Sequence, residues 1–380
     1  MAIDRNDSAG NFFERRNIHQ MQGYASGEQP QDHSTIKLNT NENPYPPAPA
    51  VAQVISDFNP LELRRYPPPT ANAFRDVAAS LHGVSRDNLV ATRGGDELLR
   101  LVITTFCDPG ELIAMTAPTY SLYPVLAQIQ DCPIMQIPLD DQWQLAPDFC
   151  AQVNQAGAKL TLIVNPHAPT GQLLDRQRIA ELATNLDSLL LIDEAYVDFV
   201  DPSLAHNCLD LVHEFDNLIF LRTLSKGYSL AGLRFGYGVA AAGLIKPMLE
   251  KTRDSYNLDL LSQKIATAAL QAQAHARHSW QQVREERQRL GVALQNLGLP
   301  GPSSQANFLL VSVPASTGSS AAALYQGLKD RGILVRYFDQ PRLTDKLRIT
   351  VGSASENDAL LAALAALLKT RARPPENAAD

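Results

Sequence analysis

Several things are scarce in this chain. Only four cysteines occur, Cys107, Cys132, Cys150 and Cys208, and no two form a C-x-x-C pair, which argues against a zinc site. A chain of 380 residues buries enough surface to fold without disulfides, so free buried thiols are expected. No apolar run reaches the roughly 20 residues of a membrane-spanning helix. The opening MAIDRNDSAGNFFERRN lacks the apolar stretch of a secretory leader. Both point to a cytoplasmic protein with no membrane partner. Positive charge is in deficit: 33 Lys and Arg against 40 Asp and Glu leave −7, a poor balance for binding nucleic acid through phosphates. Internal repeats and low-complexity tracts are absent too.

What is present is an ordinary globular composition, 45% apolar and 19% charged, in a chain too long for one compact core. Residues 1–35 are polar and read as an N-terminal arm. Prolines at 44–47 and 67–69 break the chain into extended loops. Apolar runs then alternate with helical stretches such as Asp96–Phe106 and Asp175–Asn185. Seven strands are expected: Leu89–Thr92, Leu112–Ala117, Ile134–Leu139, Leu160–Val164, Leu189–Asp193, Leu218–Arg222 and Arg234–Val239. Most are continuously apolar, the pattern of strands buried on both faces. The expected fold is α/β, a mostly parallel seven-stranded sheet with its ligand beyond the carboxyl ends of the strands. A long charged helix begins near 275, followed by strands at Ala306–Val313, Ile333–Tyr337 and Lys346–Val351 and a helix at Ala321–Asp330. This predicts a large domain over 71–274, a smaller α/β domain from 36–70 and 275–370, and a loose tail over 371–380.

Three strand ends carry chemistry. LLLIDEAYVDF runs straight into Asp193, with Tyr196 three residues on. Asp193 either caps the next helix or stands as a carboxylate at the ligand edge. In IFLRTLSKGYSLAGLRFGY the strand ends in Thr223, Ser225 and Lys226, with Arg234 beyond. A fixed cation and partial desolvation depress a lysine's pKa and make it nucleophilic. Arginine, always charged, suits a phosphate. In VATRGGDELLRLV a strand meets Gly94, Gly95 and Asp96 at a helix start, where glycine allows close approach and free N–H groups face an anion. No G-x-G-x-x-G or G-x-x-x-x-G-K-[ST] accompanies it, which excludes the usual dinucleotide and triphosphate loops. Together the three sites match pyridoxal 5'-phosphate, which needs a lysine for its aldehyde, a carboxylate for its ring nitrogen and an anion site for its phosphate.

With these motifs in place, the chain resembles the fold-type-I pyridoxal-phosphate aminotransferases and, within them, the histidinol-phosphate aminotransferase family. The resemblance runs from about Ile18 to Leu367. It rests on NTNENPYPP (39–47), RRYPPPT (64–70), APTYSLYP (117–124), NPHAPTG (165–171), LIDEAY (191–196), RTLSKGYSLAGLRFG (222–236) and LRITVG (347–352). It implies that Lys226 is catalytic, holding the cofactor covalently and shuttling a proton. By the same resemblance Asp193 pairs with the ring nitrogen and Tyr196 bonds the ring hydroxyl. Tyr120 stacks on the ring, and Gly94, Gly95, Asp96, Thr223, Ser225 and Arg234 surround the phosphate. Tyr66 reaches the cofactor of a neighbouring subunit, which implies a homodimer. Arg348 and Arg336 take the substrate's anionic group, with Tyr24 and Asn43 closing over it. The implied reaction moves an amino group from L-histidinol phosphate to 2-oxoglutarate, or in reverse from glutamate. An aromatic amino-acid aminotransferase of the same branch shares every motif.

Two positions depart from the family pattern. Ala168 stands where an asparagine usually bonds the ring hydroxyl, with His167 before it either substituting or serving as a solvated or helix-capping residue. Gly95 stands where Ser or Ala is usual.

Overall fold

Strands that are apolar throughout must be covered on both sides. The computed structural model, which describes residues 13–30 and 34–371, meets that demand with one seven-stranded sheet. After a two-residue strand β1 (Ile36–Lys37), its members are β2 (Leu89–Thr92), β3 (Ile113–Ala117), β4 (Ile134–Pro138), β5 (Leu160–Val164), β6 (Leu189–Asp193), β7 (Leu218–Thr223) and β8 (Gly236–Ala240). Their spatial order is β2-β8-β7-β6-β5-β3-β4. All pairings are parallel except those of β8, which runs antiparallel to both β2 and β7.

Side chains along the central strands alternate between two cores. Leu190, Ile192, Leu218 and Phe220 face one apolar cluster, while Leu191, Ile219 and Leu221 face another. The first is closed by helices Asn72–His82, Arg176–Asn185 and Leu260–Gln271 through Phe74, Ile179, Leu182 and Ile265. The second is closed by Gly94–Phe106 and Leu122–Ile129 through Leu98, Val102 and Leu126. Local signals start several helices: Asp175 accepts from the Arg178 amide, and Asp259 accepts from the Ser262 amide.

A third cluster lies under a three-stranded antiparallel sheet of β9 (Phe308–Ser312), β11 (Arg336–Tyr337) and β12 (Lys346–Thr350), in the order β11-β12-β9. The long helix Gln273–Asn296 contributes Leu290 and Leu294, and Ala354–Arg371 contributes Leu360 and Leu364. Segment 36–70 is divided: Leu38 joins this cluster, whereas Val51 packs with the first.

All seven expected strands of the large sheet form. One expected strand elsewhere is split. Ile333–Leu334 (β10) pairs in parallel with β1, while β11 turns to β12, so the chain changes partner at Val335. Arg234 also lies outside its expected strand, in the left-handed region at φ 58°, two residues before β8 begins. Of the arm, residues 16–20 form a short helix, and 1–12 and 31–33 lie outside the described residues, as does the tail from 372.

Phe220 is fully buried at the centre of the sheet. Phe220→Ala is expected to cost about 3–5 kcal/mol, read as a lowered urea midpoint; a loss under about 0.5 kcal/mol would mean that this core collapses around the change.

Candidate active site

Because β2, β3, β5, β6 and β7 share one direction, their carboxyl ends meet at one edge of the sheet. Asp193 is the last residue of β6 and Thr223 the last of β7, with Ser225 and Lys226 just beyond. The helix after β2 opens at Gly94, and Tyr120 follows β3. The predicted cofactor residues other than Tyr66 therefore converge on one rim.

The Lys226 Nζ donates to the Thr40 carbonyl at 2.9 Å. Burial pushes this amine down to about 8; Glu42 opposes the shift, and the cations Arg348, Lys37 and Arg234 reinforce it. Glu42 is itself held by Lys37 and Thr40.

Beside the lysine lies a cradle for an anion. Thr223 Oγ1 is 2.9 Å from Ser225 Oγ and accepts from the Ser225 amide at 3.1 Å. Arg234 reaches across with Nη1 3.5 Å from Ser225 Oγ and Nη2 3.2 Å from Asp96 Oδ2. Gly94 sits at φ 80°, and a Cβ there would lie 2.7 Å from Arg234 Nη2. Only glycine leaves both the backbone and the guanidinium where they are. Gly95 and Asp96 follow at the amino end of a helix of 13 residues, whose first N–H groups have no partner within the helix.

Asp193 is buried, and its carboxyl is pushed up to about 6 by that burial, against the hydrogen bonds from Tyr123 and the Ala195 amide. Tyr123 Oη donates to Oδ2 at 2.9 Å and Ala195 N to Oδ1 at 3.0 Å. No Lys, Arg or His among the described residues forms an ion pair with it, so this carboxylate suits a cationic ligand atom. It caps no helix. Tyr120 meets Tyr123 and Tyr24 edge-on, with centroids 5.6 and 6.1 Å apart. Tyr196 Oη accepts from Asn41 Nδ2 at 3.1 Å. His167 is buried, with Nδ1 2.8 Å from Thr170 Oγ1 and Nε2 3.0 Å from the Pro118 carbonyl. Burial pushes its imidazole down to about 4. It is neither solvated nor a helix cap: Nδ1 is occupied within its own turn and Nε2 by the loop after β3.

Arg336 and Arg348 are direct cross-strand neighbours in the β11–β12 pairing. Like charges directly opposite one another destabilise a sheet unless something else neutralises them. Neither arginine forms an ion pair with a carboxylate among the described residues. Arg348 donates from Nη2 to the Asn39 carbonyl at 2.9 Å, leaves Nε buried without a partner, and lies over Phe308 and Phe338 at 5.3 and 5.5 Å. Tyr24 is half-exposed above Tyr120. Asn43 is committed elsewhere: Nδ2 donates to Ser279 Oγ at 2.9 Å and lies 3.4 Å from the Gly227 carbonyl. Tyr66 is 80% exposed and stacks on Tyr256 at 4.5 Å, apart from the Lys226 cluster within this chain.

Sequence reasoning passed over Tyr123, Asn41, Thr40 and Glu42. Tyr123 had a signal, since it stands three residues after Tyr120 at a helix start. The other three lie inside the quoted NTNENP motif, but nothing local says what they touch. The assembled set offers an amine with a low pKa, a buried carboxylate short of a cation and a glycine-lined cradle. It suits a ligand bearing a carbonyl, a cationic ring nitrogen and a phosphate.

Comparison with known proteins agrees with this chemistry. The family described as aminotransferase class I and II matches residues 33–364. Histidinol-phosphate aminotransferase 1 of Trichormus variabilis is 42% identical over 360 residues, 94% of this chain and 99% of its own. The histidinol-phosphate aminotransferase of a Synechocystis species is 43% identical over 355 residues, 93% and 97% of the two chains. The crystal structure of histidinol-phosphate aminotransferase from Sinorhizobium meliloti, in complex with pyridoxal-5'-phosphate, is similar at a TM-score of 0.82 and 26% identity. It covers 88% of this chain and 91% of that one.

Since the folded pKa of Lys226 is below the ordinary lysine value, its unprotonated fraction grows as pH rises through about 8. Labelling of cofactor-free protein with an amine-selective acylating reagent, read by peptide mass, is expected to show Lys226 with a midpoint near 8. A midpoint above 10 would contradict the desolvated environment.

Proposed function

The chain belongs to the class I and II aminotransferases and, within them, to the histidinol-phosphate aminotransferase family; from that premise we propose that it moves an amino group between L-histidinol phosphate and 2-oxoglutarate with pyridoxal 5'-phosphate. The observation that carries the substrate assignment is the Arg336–Arg348 pair, two adjacent cations without carboxylate partners among the described residues. A substrate phosphate brings the charge and the acceptor oxygens that two guanidinium groups require.

When bound, pyridoxal 5'-phosphate supplies an aldehyde carbon that links to amines and a protonated ring that withdraws electrons from the adjoining carbon. The residues of this chain have distinct tasks around it. Gly94 leaves room for the phosphate, the helix amides at Gly95 and Asp96 donate to it, and Ser225 and Arg234 close over it. Thr223 orients Ser225. Asp193 holds the ring-nitrogen proton, and a cationic partner returns its carboxyl toward the ionised form. Tyr120 covers one ring face, and Tyr196 donates from Oη to the ring hydroxyl. Lys226 Nζ, unprotonated, would be the amine that holds the aldehyde carbon. The same amine would act as general base and acid, moving a proton between the substrate carbon and the cofactor side. Arg348 and Arg336 anchor the phosphate end of the substrate. Tyr24 screens the opening, while Asn43 steadies the turn at Gly227. Two half-reactions on one site imply ping-pong kinetics.

We also assign a large domain to 71–274 and a small one to 36–70 and 275–370, and take the enzyme to be a cytoplasmic homodimer. Leu61, Leu63 and the stacked Tyr66 and Tyr256 are large exposed apolar side chains on one stretch of surface, which supports an interface that brings Tyr66 to a neighbouring site.

Lys226→Ala is expected to abolish turnover and covalent cofactor retention; normal activity would overturn the assignment. Arg348→Ala is expected to raise KM for L-histidinol phosphate on the order of 10- to 100-fold with little loss of cofactor, and equal losses in both would mean the arginine is misassigned. In single-turnover runs, L-histidinol phosphate is expected to convert the bound cofactor's absorbance rapidly and L-phenylalanine or L-tyrosine slowly. The reverse order would move the function to aromatic transamination on the same lysine.

A further inference from the structure

Tyr196 is the one residue assigned above to bond the cofactor's ring hydroxyl, since Ala168 offers no polar side chain at the position where the family pattern has asparagine. A phenol can donate or accept, and only a donating hydroxyl stabilises the ionised ring oxygen. We infer that Asn41 and Thr350 form a positioning relay that forces Tyr196 to donate its proton into the site, doing in this chain part of what the absent asparagine amide does elsewhere. The inference rests on the cofactor assignment above.

The hydrogen bonds close in one direction. The Asn41 backbone N–H donates to Thr350 Oγ1 at 3.0 Å. The Thr350 hydroxyl then donates to Asn41 Oδ1, also at 3.0 Å. With the oxygen end of the amide so occupied, the Nδ2 end faces Tyr196 and donates to Oη at 3.1 Å. Reversing the amide would leave the buried Thr350 proton without an acceptor among the described residues, and burying an unpaired donor is costly. Since Tyr196 Oη accepts from Asn41, its own proton is free for another acceptor, and none of the described residues takes it. The ring cannot swing away, because it packs edge-on against Phe308 with centroids 5.0 Å apart.

The relay is built rather than incidental. Asn41 is 1% exposed and adopts φ 58°, a left-handed conformation that asparagine tolerates better than most residues. Its carbonyl accepts from Asn307 Nδ2 at 2.9 Å. Thr350 stands two residues after Arg348 on β12, so the strand that presents the anion-binding cation also sets the hydroxyl at the cofactor. The charged and titratable groups facing Tyr196 are Arg348, Asp193, Tyr24, Tyr120 and Tyr123.

The test is a pH titration of the bound cofactor's visible absorbance in purified holoenzyme. Asn41→Ala risks misfolding at its strained backbone, so Thr350→Val, which removes only the relay hydroxyl, is the primary variant. Loss of a directed donor to the ring oxygen disfavours its ionised form, so Thr350→Val is expected to raise the midpoint by about one pH unit. Thr350→Ser keeps the hydroxyl and is expected to keep the wild-type midpoint. Tyr196→Phe is expected to raise the midpoint at least as far, and adding Thr350→Val to it should change nothing more. An unmoved midpoint in Thr350→Val, or a full shift from Thr350→Val in the Tyr196→Phe background, would overturn the relay alone. A wild-type band that Lys226→Ala fails to remove would instead sink the cofactor assignment, and the relay with it.

Discussion

Desolvated charge at one edge of the large sheet is the constraint on which the rest depends. Lys226, Asp193 and Arg348 each carry a group that water would solvate better than protein does, and each is buried or nearly so. Burial pushes the lysine and arginine down and the aspartate up, so every one of them favours a partner of opposite charge. A phosphate and a cationic ring are such partners for Arg348 and Asp193, while an aldehyde takes the lysine amine in its uncharged form. The fold keeps the groups in place because strands and helix ends, not free loops, carry them: Asp193 ends β6, Lys226 follows β7 by three residues, and Arg348 is central in β12.

The support beneath the site is electrostatic as well. Side chains alternate along the DEAY segment. Asp193 faces the rim, and Glu194 turns back to take Arg222 Nε at 2.6 Å, with its own amide on the Leu221 carbonyl. The Glu194 side chain is fully buried, so removing either partner alone would strand the other charge. The pair holds β6 to β7 where Asp193 and the Ser225–Lys226 turn project. Asp198 lies against Gly227 so closely that a Cβ would come within 2.1 Å of its carboxylate, which explains glycine directly after the lysine.

The N-terminal segment 39–43 ties the smaller sheet to this rim. Its backbone takes the Lys226 amine at Thr40 and the Arg348 guanidinium at Asn39, while its side chains reach Tyr196 and Ser279. A motif that reads as a Pro-rich loop is therefore the strut between Lys226 and β12. Movement of the small sheet would be felt at both.

Much was legible in the amino-acid sequence by itself. The seven strands of the large sheet stood out because burial on both faces demands continuous apolar runs, and the sheet leaves few other solutions. Lys226, Asp193 and the glycine cradle were legible because short-range rules about strand ends and helix starts place them. What local chemistry could not decide is which distant residues meet. Asn41 and Thr350 are 309 positions apart, and Tyr123 finds Asp193 across 70. The pairing of Arg336 with Arg348 depends on a strand register set by the whole third core, and the split at Val335 depends on two strands competing for partners. His167 satisfies one ring nitrogen within its own turn at Thr170, but the other at the Pro118 carbonyl 49 residues away, as burial requires. Those contacts arise only once tertiary packing closes, because side-chain hydrogen bonds carry no periodicity that a sequence can display.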